Sequence, residues 1–152
     1  ATEKGAFVVP TMVTYQMLDK LGREMGLPEV SQRKVNDVRE AAFVALDILK
    51  KAGTKIGHGS DLLGEMHEYQ SLEFSLKAEV LTPHEVIIAA TMTNAELFNM
   101  SDQIGIIKPG YLADLLVVEG NPLADLNLLQ EQGRFMPVIL QGGKFIKNHL
   151  AA

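Results

Sequence analysis

The residues of this chain best suited to chemistry follow a short apolar segment near the middle of the sequence. Residues 57–61 are Gly-His-Gly-Ser-Asp, so a carboxylate ends a run that is otherwise typical of a buried β-strand. Because side chains alternate along a strand, Gly57, Gly59 and Asp61 are expected to share one face, with His58 on the other. A carboxylate at the carboxyl end of a parallel strand lies where α/β folds place their sites, and the glycines are expected to leave space for a substrate or metal. The alternative is that Asp61 only caps the following turn or helix, and spacing alone does not decide between the two.

The histidines do not form a local metal site. The four of them are widely separated in sequence, and none pair at the three to five residue spacing of a zinc motif. His67 follows Asp61 in a loop, and loops at that end of a strand bind substrates, so His67 is a candidate substrate-binding residue. A surface histidine at a helix start remains the alternative. His58 is predicted to be structural, packed between its strand and the surrounding helices, while His84 and His149 are predicted to lie on the surface.

Composition excludes several classes of function. The net charge is −5, and no segment concentrates Lys or Arg, so nucleic acid is not an expected partner. The apolar runs are interrupted before the roughly 20 residues that a membrane span needs, so no membrane partner is expected either. With no cysteine, the chain has no disulfides or thiolate ligands, which suits a reducing compartment and predicts a cytoplasmic location. At 152 residues, the chain is shorter than the about 250 residues of a closed (β/α)8 barrel.

Apolar periodicity predicts the elements that position these residues. Residues 6–13 are rich in Val and Phe without polar alternation, which predicts a strand buried on both faces, and residues 56–60 predict a second strand. Between them, apolar residues at steps of three and four predict a helix from Ser31 to Gly53. Residues 67–80 again have helical spacing. Capping-box patterns then predict helices that begin at Thr82 and at Thr93.

The pattern changes near residue 103. Beyond it, short apolar segments alternate with Pro and Gly turns, which predicts a mostly β structure. Residues 137–147 give the clearest hairpin signal, because the pair Gly142 and Gly143 tolerates the positive φ of a two-residue turn. The sequence therefore predicts an α/β part over residues 1–103 and a β-rich part over residues 104–152.

Three segments, in this order, closely resemble the C-terminal part of amidohydrolase-superfamily enzymes. They are residues 53–61, 91–97 and 105–123, and the strongest match is Lys-Pro-Gly-Tyr-Leu-Ala-Asp-Leu-Leu-Val-Val at residues 108–118. Residues 59–67, together with the Gly-Asn-Pro-Leu that follows later, look most like the imidazolonepropionase-related branch, which includes prolidase-like (Xaa-Pro dipeptidase) enzymes. The similarity covers essentially the whole chain, but only about the last third of such an enzyme.

The resemblance implies a fold and a role for one residue. It implies the last two β/α units of a TIM-type (β/α)8 barrel over residues 1–103 and the C-terminal strands of a small β-sandwich over residues 104–152. Asp61 matches the aspartate that ends the eighth barrel strand, where it ligates a metal and acts as the acid/base for the attacking water. The resemblance also implies a cofactor of one or two zinc ions, and a small-molecule or dipeptide substrate whose C–N bond is hydrolysed.

The same resemblance places the other metal ligands of the family upstream of Ala1. Since a catalytic zinc typically needs three protein ligands, one aspartate cannot hold it. We therefore expect a fragment of a longer zinc-dependent hydrolase, inactive as an isolated chain and bound to the remainder of the enzyme or to another copy. Two alternatives remain open: a non-catalytic interaction module that associates through its strand edges, and a deaminase-type member of the same superfamily.

Overall fold

Two small sheets, one parallel and one antiparallel, organise the computed structural model, which describes residues 2–150. The parallel sheet pairs β1 (Phe7–Val8) with β2 (Lys55–Ile56), with Val8 opposite Ile56. One further rung follows, because the Gly57 N–H donates to the Val8 carbonyl at 2.9 Å. The predicted parallel arrangement of these two segments is therefore present, although both strands are shorter than the sequence indicated.

The first strand ends early because its apolar run continues into a helix. Residues 9–13 were expected to be strand, but the chain turns at Pro10, and α1 (Met12–Leu21) begins two residues later. Val13, expected in the strand, is a fully buried helix residue. A short apolar run does not distinguish a buried strand from a buried helix, and for this reason the prediction of strand at residues 9–13 is wrong. The second expected strand, residues 56–60, is strand only to Ile56, with one more hydrogen bond to β1 from the Gly57 N–H.

The long second helix matches the sequence prediction closely. This helix, α2 (Glu29–Lys51), begins at Glu29 rather than Ser31, directly after Pro28. It packs against α1, and the buried Gln32 amide donates to the carbonyl of Asp19 at 2.9 Å. None of the helices within residues 2–150 combines the length with the apolar character needed to cross a bilayer. The cytoplasmic location stays a prediction.

Shorter helices follow β2. They are a 3₁₀ helix (Gly64–Tyr69), α3 (Leu72–Ala78), α4 (Pro83–Ile88), a π-helical turn (Ala89–Thr93) and α5 (Asn94–Leu97). The capping box predicted at Thr82 is present: the Thr82 N–H donates to the Glu85 carboxylate at 2.7 Å, and the Glu85 N–H donates back to the Thr82 hydroxyl at 3.3 Å. The second predicted box is wrong. Thr93 is helical and makes no side-chain cap, because the π-helical turn runs directly into α5.

The antiparallel sheet has the order β3 (Leu115–Val117), β4 (Val138–Gln141), β5 (Lys144–Asn148). The predicted hairpin joins β4 to β5, and both turn glycines adopt positive φ, 54° and 78°. Three 3₁₀ helices complete the described elements: Thr2–Lys4, Leu126–Leu129 and Glu131–Gly133.

The core consists of two apolar clusters around the first turn of α1. Two adjacent residues of that turn pack into different clusters. Met12 belongs to the first cluster and Val13 to the second. The first also contains Leu46, Leu81, Val86 and Leu126, and the second also contains Met17, Leu62 and Met66. Because Leu126 comes from the C-terminal part, the β-rich region packs directly on the α/β region. The boundary near residue 103 stays a prediction.

Candidate functional site

Asp61 lies at the carboxyl end of the parallel pair, in the segment of residues 57–61 that we call the site segment. Its side chain is exposed and, among residues 2–150, has no hydrogen bond or ion pair. The 3₁₀ helix that follows has Leu63 at its N-cap position, so Asp61 does not cap that helix. The carboxylate is therefore open to a ligand.

The prediction that strand alternation places Asp61 on one face with Gly57 and Gly59 is wrong. Asp61 adopts a left-handed φ of 49°, so the alternation of a strand does not extend to it. The glycines also have a different role from the one expected. A Cβ on Gly57 would lie 2.9 Å from the Asn94 side chain, and a Cβ on Gly59 would lie 2.9 Å from Val9. Both glycines thus accommodate close packing by neighbouring side chains.

Side chains from three helices bind the backbone of the site segment. Lys77 of α3 donates to the Gly57 carbonyl at 2.6 Å. The Asn94 amide of α5 bonds both backbone groups of His58: it accepts from the N–H at 2.9 Å and donates to the C=O at 2.8 Å. Thr14 of α1 donates its hydroxyl to the carbonyl of the residue before Asp61. These bonds satisfy polar groups that a neighbouring strand would otherwise satisfy.

His58 packs as a structural residue against α3. Its ring lies 4.2 Å, centroid to centroid, from the ring of Phe74, with the planes inclined by 33°. Its Nδ1 is buried and, within residues 2–150, has no hydrogen-bond partner. Burial, with a smaller contribution from the charge of Lys77, lowers the pKa of His58 to about 3. His58 is therefore neutral near pH 7 and contributes packing rather than charge.

This neutral histidine predicts a pH dependence of stability. A depressed folded-state pKa contributes stability that is present above the unfolded value of 6.5 and is lost as pH falls toward about 3. Between pH 7 and pH 5 we expect the wild-type free energy of unfolding to fall by about 2 kcal/mol relative to His58→Phe, which retains the ring contact. Denaturant unfolding at both pH values measures this. Other titrating groups are the same in wild type and His58→Phe, so their contributions cancel in the comparison. An equal change in the free energy of unfolding between pH 7 and pH 5 in both proteins would contradict the prediction.

A fully buried ion pair lies beneath the site segment and was not predicted from the sequence. Glu73 and Lys77 are both 0% exposed, with Nζ 3.5 Å from Oε1. The other carboxylate oxygen of Glu73 accepts from the Val13 N–H at 2.8 Å, in the first turn of α1. Oppositely charged residues four apart are typical of a solvated helix face, so the local pattern indicates exposure where the fold imposes burial.

Burial dominates the titration of both members of this pair. It raises the pKa of Glu73 to about 7, although the Val13 N–H and the charge of Lys77 act in the opposite direction. It also lowers the pKa of Lys77, against the attraction of Glu73. Both side chains are 0% exposed and bonded to backbone groups, so we assign the pair a structural role and not that of a catalytic acid or base.

His67 is exposed in the 3₁₀ helix after the site segment, and its carbonyl accepts from the Gln70 N–H at 3.2 Å. A cleft of about 270 Å³ lies beside the site segment, and His67 is not among the residues that line it. The lining residues are His58, Gly59, Ser60, Gln70, Ser71 and Phe74. The structure thus leaves His67 exposed, and within residues 2–150 its imidazole has no hydrogen-bond or ion-pair partner.

The described residues do not complete a zinc site. Within residues 2–150, no group of three or more His, Asp or Glu side chains is arranged to hold a metal ion. Asp61, as an exposed carboxylate without a partner, suits one ligand position, whereas a catalytic zinc typically takes three protein ligands. A metal here would need further ligands beyond those that these residues supply.

Comparison with known proteins connects this geometry to one family. The amidohydrolase family model matches residues 1–144. The ochratoxinase of Aspergillus niger is 31% identical over 147 residues, which cover 95% of this chain and 30% of that enzyme. A prolidase crystallised with N-methylphosphonate-L-proline is 47% identical with a TM-score of 0.92, covering 97% of this chain and 36% of that one. A Xaa-Pro dipeptidase with methionine bound in its active site is 27% identical with a TM-score of 0.84, covering 97% and 36%. The chain therefore spans about a third of the length of these relatives.

Proposed function

The chain belongs to the amidohydrolase family, and from that premise we propose that it is part of a zinc-dependent hydrolase that cleaves amide or dipeptide C–N bonds, with Xaa-Pro dipeptides as the favoured substrate class. The observation that carries the proposal is the 47% identity to a prolidase across 97% of this chain. The exposed, unpartnered Asp61 at the end of a parallel strand supports it, because α/β folds place their sites at that end.

Within that enzyme, Asp61 is proposed to serve as acid/base and as one metal ligand. The carboxylate is open to solvent, so it can accept a proton from the attacking water and return it to the leaving nitrogen. Zinc, as one or two ions, supplies Lewis acidity when bound and lowers the pKa of water. The remaining ligands would come from the rest of the enzyme. The isolated chain is accordingly proposed to be inactive.

The two sheets fit the proposed division of the enzyme. β1 and β2 are parallel, and each is followed by helices, as in consecutive β/α units of a (β/α)8 barrel. We assign residues 1–103 to the barrel and residues 104–152, with the antiparallel sheet, to a small β-sandwich domain. The direct packing of Leu126 on the α/β core supports a fixed position of the sandwich portion against the barrel.

The deciding experiment is a substrate screen on the full-length protein that contains this chain. We expect hydrolysis of Xaa-Pro dipeptides, loss of that activity with a chelator, and its recovery when zinc is added. An N-acyl amino acid amide and an aminopyrimidine serve as comparison substrates. Ammonia release from the aminopyrimidine with no dipeptide cleavage would favour the deaminase alternative, and no turnover of any amide or peptide would contradict the proposal.

His67 is proposed to contact the substrate from the loop that follows Asp61. Its imidazole is exposed, so removing it is expected to leave the fold intact. Since one hydrogen bond contributes about 1 kcal/mol, we expect His67→Ala to raise KM about threefold to tenfold with kcat unchanged. His84→Ala is the matched control, because His84 is exposed on α4. An unchanged KM in His67→Ala would show that the residue is only a surface histidine.

Association is the second candidate function, and exposed apolar side chains favour it. Apolar side chains just after β1 and on the antiparallel sheet remain open within residues 2–150, with Val9 36%, Phe145 61% and Ile146 63% exposed. Such surfaces recruit partners, and the proposed partner is the remainder of the enzyme or another copy of the chain. We expect light scattering on the isolated chain to show an oligomer. A dilute monomer that melts cooperatively would contradict this.

A further inference from the structure

The route of the backbone to Asp61 depends on side chains that lie outside the proposed site. Within residues 2–150, no strand pairs with the site segment beyond Gly57, and its backbone groups are bound by Lys77, Asn94 and Thr14. These three residues come from three different helices. The position of the segment, and hence of the Asp61 carboxylate, is therefore set by how those helices hold their side chains.

The buried pair extends this arrangement to both strands. Lys77 holds the end of β2 through the Gly57 carbonyl, while Glu73 holds the start of α1 through the Val13 N–H. Because α1 begins just after β1, the two ends of one ion pair fix the chain at the carboxyl ends of both parallel strands. Helix α3 thus serves as a brace between them.

Energetics favour a positioning role over a stabilising one. Desolvating two charges costs several kcal/mol per ion, and well-packed apolar residues of similar volume are often as stable or more so. Glu73 and Lys77 are both fully buried, in contact at 3.5 Å rather than at ideal hydrogen-bond distance, and Glu73 Oε1 has no hydrogen-bond partner among the described residues 2–150. What the pair does supply is directional bonds to two backbone groups that an apolar side chain could not make.

We propose that Glu73 and Lys77 are positioning residues that brace the carboxyl ends of the two parallel strands and thereby set the placement of Asp61. The part of this role that concerns turnover rests on the proposed function of Asp61, whereas the bracing of the backbone does not. Both side chains are 0% exposed, so we do not assign either of them a contact with the substrate. Their effect reaches the site through the Gly57 carbonyl and the first turn of α1.

The test compares two matched lysines in the full-length protein. Glu73→Gln combined with Lys77→Met removes both charges and the bond to Gly57 without leaving one charge buried alone. Lys50→Met is the control, because Lys50 also pairs with a glutamate, at 3.0 Å, and donates to a carbonyl, at 3.0 Å, but is 33% exposed, and its partners Glu85 and Val80 lie outside the site segment. Amide hydrogen exchange and steady-state kinetics are measured on both.

The double variant is expected to exchange the Gly57 and His58 amides at least tenfold faster than wild type, relative to amides of α2 in the same sample. It is also expected to lower kcat at least tenfold with KM within twofold. Lys50→Met is expected to change neither. A uniform change in exchange across the chain, or local loosening with unchanged kcat, would overturn the proposal. A full-length protein that hydrolyses no amide or peptide would contradict the proposed function. The hydrogen-exchange measurement would still show whether Glu73 and Lys77 hold the backbone of the site segment in place.

A second variant tests the same arrangement without touching a buried charge. Thr14→Val removes the hydroxyl that binds the Ser60 carbonyl and keeps the shape of the side chain. We expect it to lower kcat about threefold to tenfold with little change in the melting temperature, and we expect Thr14→Ser, which keeps the hydroxyl, to restore kcat. If valine and serine behave alike, the backbone of the site segment is not held in place by these side-chain bonds.

Discussion

Replacing Asp61 with asparagine is expected to lower kcat of the full-length enzyme by at least about 100-fold, and up to about 10⁴-fold, which is the range for removal of a general acid/base. Asparagine is nearly isosteric with aspartate but cannot accept the proton of the attacking water. The fold should survive, since the side chain is exposed and asparagine tolerates the left-handed φ of 49°. Steady-state kinetics with an Xaa-Pro dipeptide and a thermal melt measure the two effects separately.

Asp102→Asn is the matched control for this substitution. Asp102 is also an exposed aspartate in an irregular segment, but it lies well along the chain from the site segment. We expect wild-type kinetics from it. Retention of more than a tenth of wild-type kcat in Asp61→Asn, with the control unaffected, would show that this carboxylate is not the proton acceptor.

The elements that sequence patterns predicted well are those specified by local chemistry. Helix α2 follows from apolar residues at steps of three and four, and the capping box at Thr82 follows from a four-residue motif whose bonds lie within one turn. The hairpin at Gly142 likewise depends on the φ preference of adjacent glycines. In each case the residues that specify the structure are those that adopt it.

The predictions that failed depended on contacts between distant segments. The apolar run of residues 6–13 contains both β1 and the start of α1, and the identity of Val13 as a helix residue is clear only from its packing against Met17 and Leu62. Gly57 and Gly59 are glycines because Val9 and the Asn94 side chain approach them. No local pattern reports such a neighbour, so the close approach of Val9 and Asn94 was not predicted from the sequence.

The sequence could single out Asp61 as a candidate, because a carboxylate after an apolar segment is a local feature, and its role stays a prediction. The side chains that hold its backbone segment could not be predicted. Glu73 and Lys77 were missed because charged residues four apart normally face solvent, and only the packing of α3 under the site segment buries them. The residues that support a site are harder to detect from sequence than the residues that form it, since support is a tertiary property.

Removing one member of the buried pair is expected to be far more damaging than removing both. Lys77→Met leaves the Glu73 carboxylate buried with one N–H donor and no opposite charge, and breaking a buried pair in this way costs about 3–5 kcal/mol. Adding Glu73→Gln removes that isolated charge, so the double variant should recover most of the lost free energy of unfolding. Denaturant unfolding near pH 8 compares wild type, the single variant and the double variant, with Lys50→Met expected to lose no more than about 1 kcal/mol.

The pH dependence of the single variant identifies the origin of this cost. Burial raises the pKa of Glu73 to about 7, and loss of Lys77 removes an opposing attraction, so the folded protein should favour protonated Glu73 still more strongly. A raised folded-state pKa contributes stability that is present below the unfolded value of 4.5 and is lost as pH rises through the folded value. The deficit of Lys77→Met relative to wild type should therefore shrink as pH is lowered from 8 toward 5, because the glutamate takes up a proton. A deficit that stays constant with pH would attribute the loss to the packing of the lysine stem and not to an isolated buried carboxylate.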